Sequence, residues 1–150
     1  PYRMWTNSST IVYQFGGSIG ITWKLPGGYQ INTHGSYAKL QKSKNEDGLE
    51  DGFNTPSCMA FAAVANEQIY KNWGGSINLR WQSRYYWQSF LINGDVPAIT
   101  TLDAQLSYRF SKQPLRLKLG ASNLINHYYY SILGGPAVGG MYYLTATWAL

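Results

Sequence analysis

One cysteine and two histidines stand in 150 residues. Cys58 alone can form no internal disulfide and no thiolate cluster, and it reads as an inert small side chain. His34 and His127 have no second histidine at ligand spacing, so no metal centre is expected. Charged residues make up only 13% of the chain, about half the usual share. Twelve Lys and Arg against seven Asp and Glu leave a net charge of +5. Those cations are scattered singly rather than clustered among stacking aromatics, so nucleic acid is not an expected partner. No apolar run reaches the roughly 18 residues a transmembrane helix needs, which says nothing about short alternating strands. GGPAVGG carries glycines but neither a lysine nor a following helix, so it is no phosphate loop. The chain opens at Pro1 with neither Met nor a signal peptide, which reads as a piece processed or cut from something longer.

Aromatics and glycine are abundant instead: 16% Phe, Trp and Tyr, with 13 tyrosines, six tryptophans and 16 glycines. Their arrangement is periodic. In TLDAQLSYRF, Leu102, Ala104, Leu106, Tyr108 and Phe110 alternate with Thr101, Asp103, Gln105, Ser107 and Arg109. A period of two is a strand with one apolar and one polar face. The same alternation places Ile11, Tyr13, Phe15, Ile19, Ile21, Trp23 and Leu25 together, then Tyr29, Ile31, Thr33, Gly35 and Tyr37. A weaker strand is expected over about Met59–Ala65, followed by a turn at KNWGG. Ile77, Leu79, Trp81, Tyr85 and Trp87 then oppose Ser76, Asn78, Arg80, Gln82 and Arg84 in one continuous strand. Leu115, Leu117 and Leu119 follow, and MYYLTATWAL ends the chain. About seven strands and no helical period make the fold class all-β, an antiparallel up-and-down meander.

Connections between these strands alternate in length. PGG, KNWGG and KQP are tight; SKNEDGLEDGFNTPS, the INGDVPAI region and the Tyr-rich stretch from Asn126 to Gly139 are long. Short turns at one end and long loops at the other match an outer-membrane barrel, with the C-terminus on the short-turn side. Two aromatic girdles fit as well: Trp23, Trp73, Phe110 and Trp148 near the turns, Tyr37, Tyr85 and Trp87 near the loops. On this reading Leu102 to Phe110 face lipid and the polar register faces the lumen. A soluble, secreted all-β module that holds carbohydrate on its Tyr-rich loops is the alternative, its apolar face buried under a second sheet.

The C-terminal half carries something more specific. DVPAITTLDAQLSYRF, LRLKLGASNLINHYYY and GGPAVGGMYYLTATW follow in order, with Gly120-Ala121-Ser122-Asn123-Leu124-Ile125-Asn126 and then Tyr128 as the most specific element. This resembles the last strands of TonB-dependent outer-membrane receptors, most like those of Bacteroidetes-type bacteria. The resemblance is strong over 75–150 and looser over 1–74. The family ends in an aromatic residue, whereas this chain ends Trp148-Ala149-Leu150. Family barrels are similar in having 22 strands around an N-terminal plug. The resemblance therefore implies that residues 1–150 are a C-terminal segment of such a barrel, with plug and remaining strands elsewhere. It also implies outer-membrane lipid, the plug, the TonB complex and a scarce nutrient (siderophore, vitamin, glycan or peptide) as partners, and active transport rather than covalent chemistry.

Site residues follow from position. Lumen-side charges are Lys24, Arg80, Arg84, Asp103, Arg109, Arg116 and Lys118, read as a solvated wall, as plug contacts, or as a path for anions. Ligand candidates are Asn93 and Asp95 in the second long loop and Tyr128, Tyr129 and Tyr130 in the third, since tyrosine offers both a stacking face and a hydroxyl. His34 with Ser36 two residues on is the one arrangement that evokes a hydrolase, but no acid is placed beside it. No catalytic residue, cofactor or metal is expected.

Overall fold

The structure, a computed structural model, describes residues 11–42 and 52–149. Among the described residues nine strands occur in order: β1 (Val12–Lys24), β2 (Tyr29–Lys42), β3 (Cys58–Tyr70), β4 (Trp73–Gln82), β5 (Tyr85–Trp87), β6 (Gly94–Val96), β7 (Ile99–Arg109), β8 (Leu115–Ser122) and β9 (Met141–Trp148). Seven of them form one antiparallel sheet in the order β1-β2-β3-β4-β7-β8-β9, and β5 pairs with β6 apart from it. The all-β meander expected from the alternation is therefore present. The tight connections are a single 3-10 turn at Pro26–Gly28, where Gly27 and Gly28 adopt φ of 80° and 81°, a two-residue hairpin at Lys71 and Asn72, and residues 110–114. Positive φ at the first two positions is what glycine permits most cheaply.

Directly opposed residues share a face of the sheet, so register sorts side chains. Trp23, Ile31, Val64, Ile77, Ala104 and Ala121 form one cross-strand row, and Lys118 opposes Ser107 in a row of the other face. The two faces differ in crowding. Leu106 is 45% exposed while Ser107 beside it is 4%, and Val64 is 45% exposed while Ala63 is 6%. Large apolar side chains stand open on one side along the whole sheet, and among the described residues no second sheet covers them. That is the reverse of a sandwich core. Strands β1 and β9 are both edges with one side unpaired.

Four expectations need correction. The strand read over Met59–Ala65 runs on to Tyr70, through a bulge between Asn66 and Tyr70. Its alanines gave little apolar contrast, and the bulge breaks the period that would have marked its end. KNWGG is not a turn throughout: Lys71 and Asn72 turn, whereas Trp73, Gly74 and Gly75 begin β4. The strand carrying Ile77 does not continue to Trp87; it stops at Gln82, and Ser83 and Arg84 break it. Arg84 consequently lies in the second long connection rather than on the sheet's polar face. Finally, INGDVPAI is not featureless, because Gly94–Val96 is a strand paired with Tyr85–Trp87. Glu46, Asp47, Glu50, Asp51 and Leu150 lie outside the described residues.

Candidate functional site

The long connections pack on one another rather than standing apart. Gly52 donates its backbone N–H to Gln88 Oε1 at 3.0 Å, and the Asn54 amide exchanges two hydrogen bonds with the Gln88 backbone, at 2.8 and 2.6 Å. The second loop is held to the third by Tyr85, whose hydroxyl donates to the Ser131 carbonyl at 2.8 Å. Burial pushes that hydroxyl above the usual phenol range, because the charged form would lose hydration. Val96 at the end of the β5–β6 hairpin is fully buried. Within the third loop Tyr129 bridges to Val138 in both directions, at 3.2 and 2.8 Å.

Beneath this cap the polar face carries a cleft of about 490 Å³, walled by His34, Ser36, Phe61, Arg80, Gln82 and Thr101 from the sheet. Tyr85, Tyr129 and Ser131 close it from the loops. It offers a guanidinium, an imidazole, two phenols and an aromatic floor. Ser36 Oγ is buried there with no hydrogen-bond partner among the described residues. Such a set can bind and orient a polar ligand by hydrogen bonds and ring contacts. No carboxylate is among its lining residues, so His34 and Ser36 lack the third group that would orient a base. Among the described residues no group of three or more His, Cys, Asp or Glu is placed to hold a metal ion.

Of the ligand candidates read from the sequence, the cleft gathers only Tyr129. Asn93 holds the tip of the second loop, its Oδ1 accepting the Ser89 N–H at 2.8 Å. Asp95 sits exposed in β6 opposite Tyr86. Tyr128 and Tyr130 are 65% and 49% exposed and do not line the cleft. Tyr85 was missed because alternation carried across Ser83 and Arg84 put it on the apolar face. Break and hairpin turn it to the polar side, and no local signal in the sequence marks that switch.

The charged residues divide into two groups. At the loop end Arg80 Nη2 meets Asp103 Oδ2 at 2.6 Å. Asp103 Oδ1 also accepts from Ser122 Oγ at 3.1 Å and from the Asn123 N–H at 2.9 Å. Asn123 is buried and takes φ of 51°, and its amide clasps the His127 backbone at 2.9 and 3.3 Å. Asn126 Oδ1 accepts the Gly140 N–H across the same loop at 2.7 Å. The Ser122-Asn123-Leu124-Ile125-Asn126 stretch is thus the hinge pin of the third loop, anchored on Asp103. At the turn end Arg109 and Arg116 stand 3.6 and 3.9 Å from the Glu67 carboxylate. Glu67 and Asp103 thus offset three of the cations on this face, Arg80, Arg109 and Arg116. Glu67 lay beyond the read end of β3, so the sequence reading missed it. Lys118 opposes Ser107 between the two groups.

No protein-family model and no curated protein matches the sequence. Solved structures do. The siderophore receptor PiuA from Acinetobacter baumannii is 14% identical, with a TM-score of 0.68 over 92% of this chain and 22% of its own. P. aeruginosa FpvA, in complex with heterologous pyoverdines, is 13% identical with a TM-score of 0.70 over 90% of this chain and 19% of its own. The copper transporter OprC is 16% identical, TM-score 0.67, over 90% and 23%. The likeness shows the fold alone: an antiparallel meander of consecutive strands that matches a part of each of these structures. This chain spans about a fifth of the length of the structures it matches.

Proposed function

We propose that residues 1–150 form a C-terminal stretch of barrel wall and outer loops in a TonB-dependent receptor of a Gram-negative outer membrane. One observation carries the reading: large apolar side chains stand open on one face along all seven strands, while on the inner strands the crowded positions Ala63, Thr101 and Ser107 fall on the other. Lipid covers such a face without a second sheet. Strand count points the same way. The first and last strands of a seven-stranded antiparallel meander run parallel, so closure into an antiparallel barrel needs further strands, and closure removes both open edges. The plug would stand against the polar face, and the TonB complex would act on it through the part of the protein outside this chain. The barrel moves a nutrient and makes no covalent bond.

The cleft under the loops is where this segment meets its ligand. Arg80, Tyr85 and Tyr129 supply the contacts, and Ser36 offers an unmet hydroxyl. Relatives of this fold include a siderophore receptor and a copper transporter, and a small polar nutrient or chelate of that order fits a cleft of about 490 Å³.

Sidedness tests the reading in the intact receptor. Leu91 is 80% exposed at the tip of the second loop, and exposed tips tolerate insertion. An epitope inserted there is labelled on intact cells; one inserted at Gln113, in a short turn, is labelled only after the outer membrane is opened. The reverse pattern, or release of the protein into buffer without detergent, would refute it.

A further inference from the structure

The open apolar face is not uniform. Between β3, β4, β7 and β8 it sinks into a hollow of about 540 Å³. Gly75, Ala104 and Ala121 form its floor, and Tyr29, Ile69, Ile77, Leu106, Leu119 and Tyr142 rise around it. The bulge in β3 helps to build the rim, since it carries Ile69 over Gly75, where a Cβ would stand 3.4 Å from the Ile69 Cδ1. Polar atoms are almost absent from the wall, so its occupant presents hydrocarbon. At the short-turn end of β3, Lys71 stands two residues beyond Ile69 of the rim and holds its ammonium 5.1 Å from the centre of the Tyr70 ring. A cation fixed on an interfacial tyrosine beside a hydrocarbon slot matches an anionic headgroup with its chain in the slot.

The geometry points to a bound phospholipid: one acyl chain seated in the Gly75–Ala104–Ala121 hollow and an anionic headgroup on Lys71, in the leaflet facing the short turns. This inference rests on the barrel reading above, which makes the apolar face a lipid boundary. General lipid contact needs no shaped site; a slot with a cation two residues beyond its rim selects one lipid and holds it. An extended protein segment in the same place would leave its backbone groups against a wall that offers almost no polar partner.

The test uses the intact receptor, purified in detergent and checked for a folded barrel by its heat-modifiable migration. Native mass spectrometry then compares retention of dimyristoyl phosphatidylglycerol with that of dimyristoyl phosphatidylcholine, whose chains are the same. The wild type is expected to keep the anionic lipid about five-fold better, the ratio that about 1 kcal/mol per lysine implies. Lys71→Gln should abolish that preference and leave phosphatidylcholine retention unchanged. Ala104→Leu, which fills the floor, should lower retention of both lipids. Equal retention of both lipids by the wild type in a folded barrel, or no effect of Ala104→Leu, would overturn the site while leaving the barrel intact. A protein that never acquires the folded migration would count against the barrel reading instead. Retention of lipid A in preference, or a co-purifying polypeptide lost with Ala104→Leu and no lipid adduct, would also overturn it.

Discussion

Replacing Asp103 separates its two roles, one per oxygen. In Asp103→Ala the Asn123 N–H loses its acceptor inside a residue that is only 3% exposed. Orphaning a buried donor costs about 1–3 kcal/mol. The Arg80 pair is lost as well, but its arginine side chain is 53% exposed, and pairs open to water contribute about 0.2–1 kcal/mol. The Ser122 hydroxyl can turn elsewhere and adds little. The sum is about 1–4 kcal/mol, most of it at the root of the third loop. Asp103→Asn keeps an acceptor oxygen for Asn123 and Ser122 and gives up only the ion pair, so it should cost about 1 kcal/mol or less. Urea unfolding of the intact barrel, followed by tryptophan fluorescence, measures the totals. Chymotrypsin cleavage at Tyr128, which is 65% exposed, reports the loop: faster in the alanine variant, near wild type in the asparagine variant. Equal costs for the two substitutions would show that the charge, not the acceptor, anchors the loop, and would refute the argument.

Leu106→Arg, on the open apolar face, should destabilise the barrel by about 2–4 kcal/mol while Gln105→Arg is tolerated; matched unfolding curves for the pair check the register. Gly74→Ala should destabilise by about 1–3 kcal/mol, because a Cβ there meets the Glu67 carbonyl oxygen at 2.5 Å, whereas Gly17→Ala, with nothing within 4 Å, should leave the midpoint unchanged. The Tyr85 hydroxyl titrates above 10.0 in the folded protein, so its protonated form belongs to the docked loops. Their contact is fully present below pH 10.0 and is lost as pH rises through the raised value. Protease sensitivity of the third loop should therefore climb in that range for the wild type and show no such step in Tyr85→Phe.

Alternation alone determined much of this protein. A period of two is a property of each strand taken singly, so TLDAQLSYRF announced both its structure and its two faces, and the lengths of the connections announced the meander. Resemblance in the SNLIN stretch reached the right fold, although the physical role of that stretch, an asparagine pivot on Asp103, came only with the structure. Local patterning failed where the ladder was interrupted. The bulge past Asn66 hid the end of β3 and with it Glu67, and the break at Ser83 and Arg84 reversed the side on which Tyr85 falls. Only tertiary structure could assemble the cleft. Its loop wall rests on contacts between residues far apart in the chain, Tyr85 with Ser131 across 46 positions and Asn54 with Gln88 across 34. Such pairs leave no periodic trace in a sequence, because what joins them is the closing of loops in space rather than the geometry of any one strand.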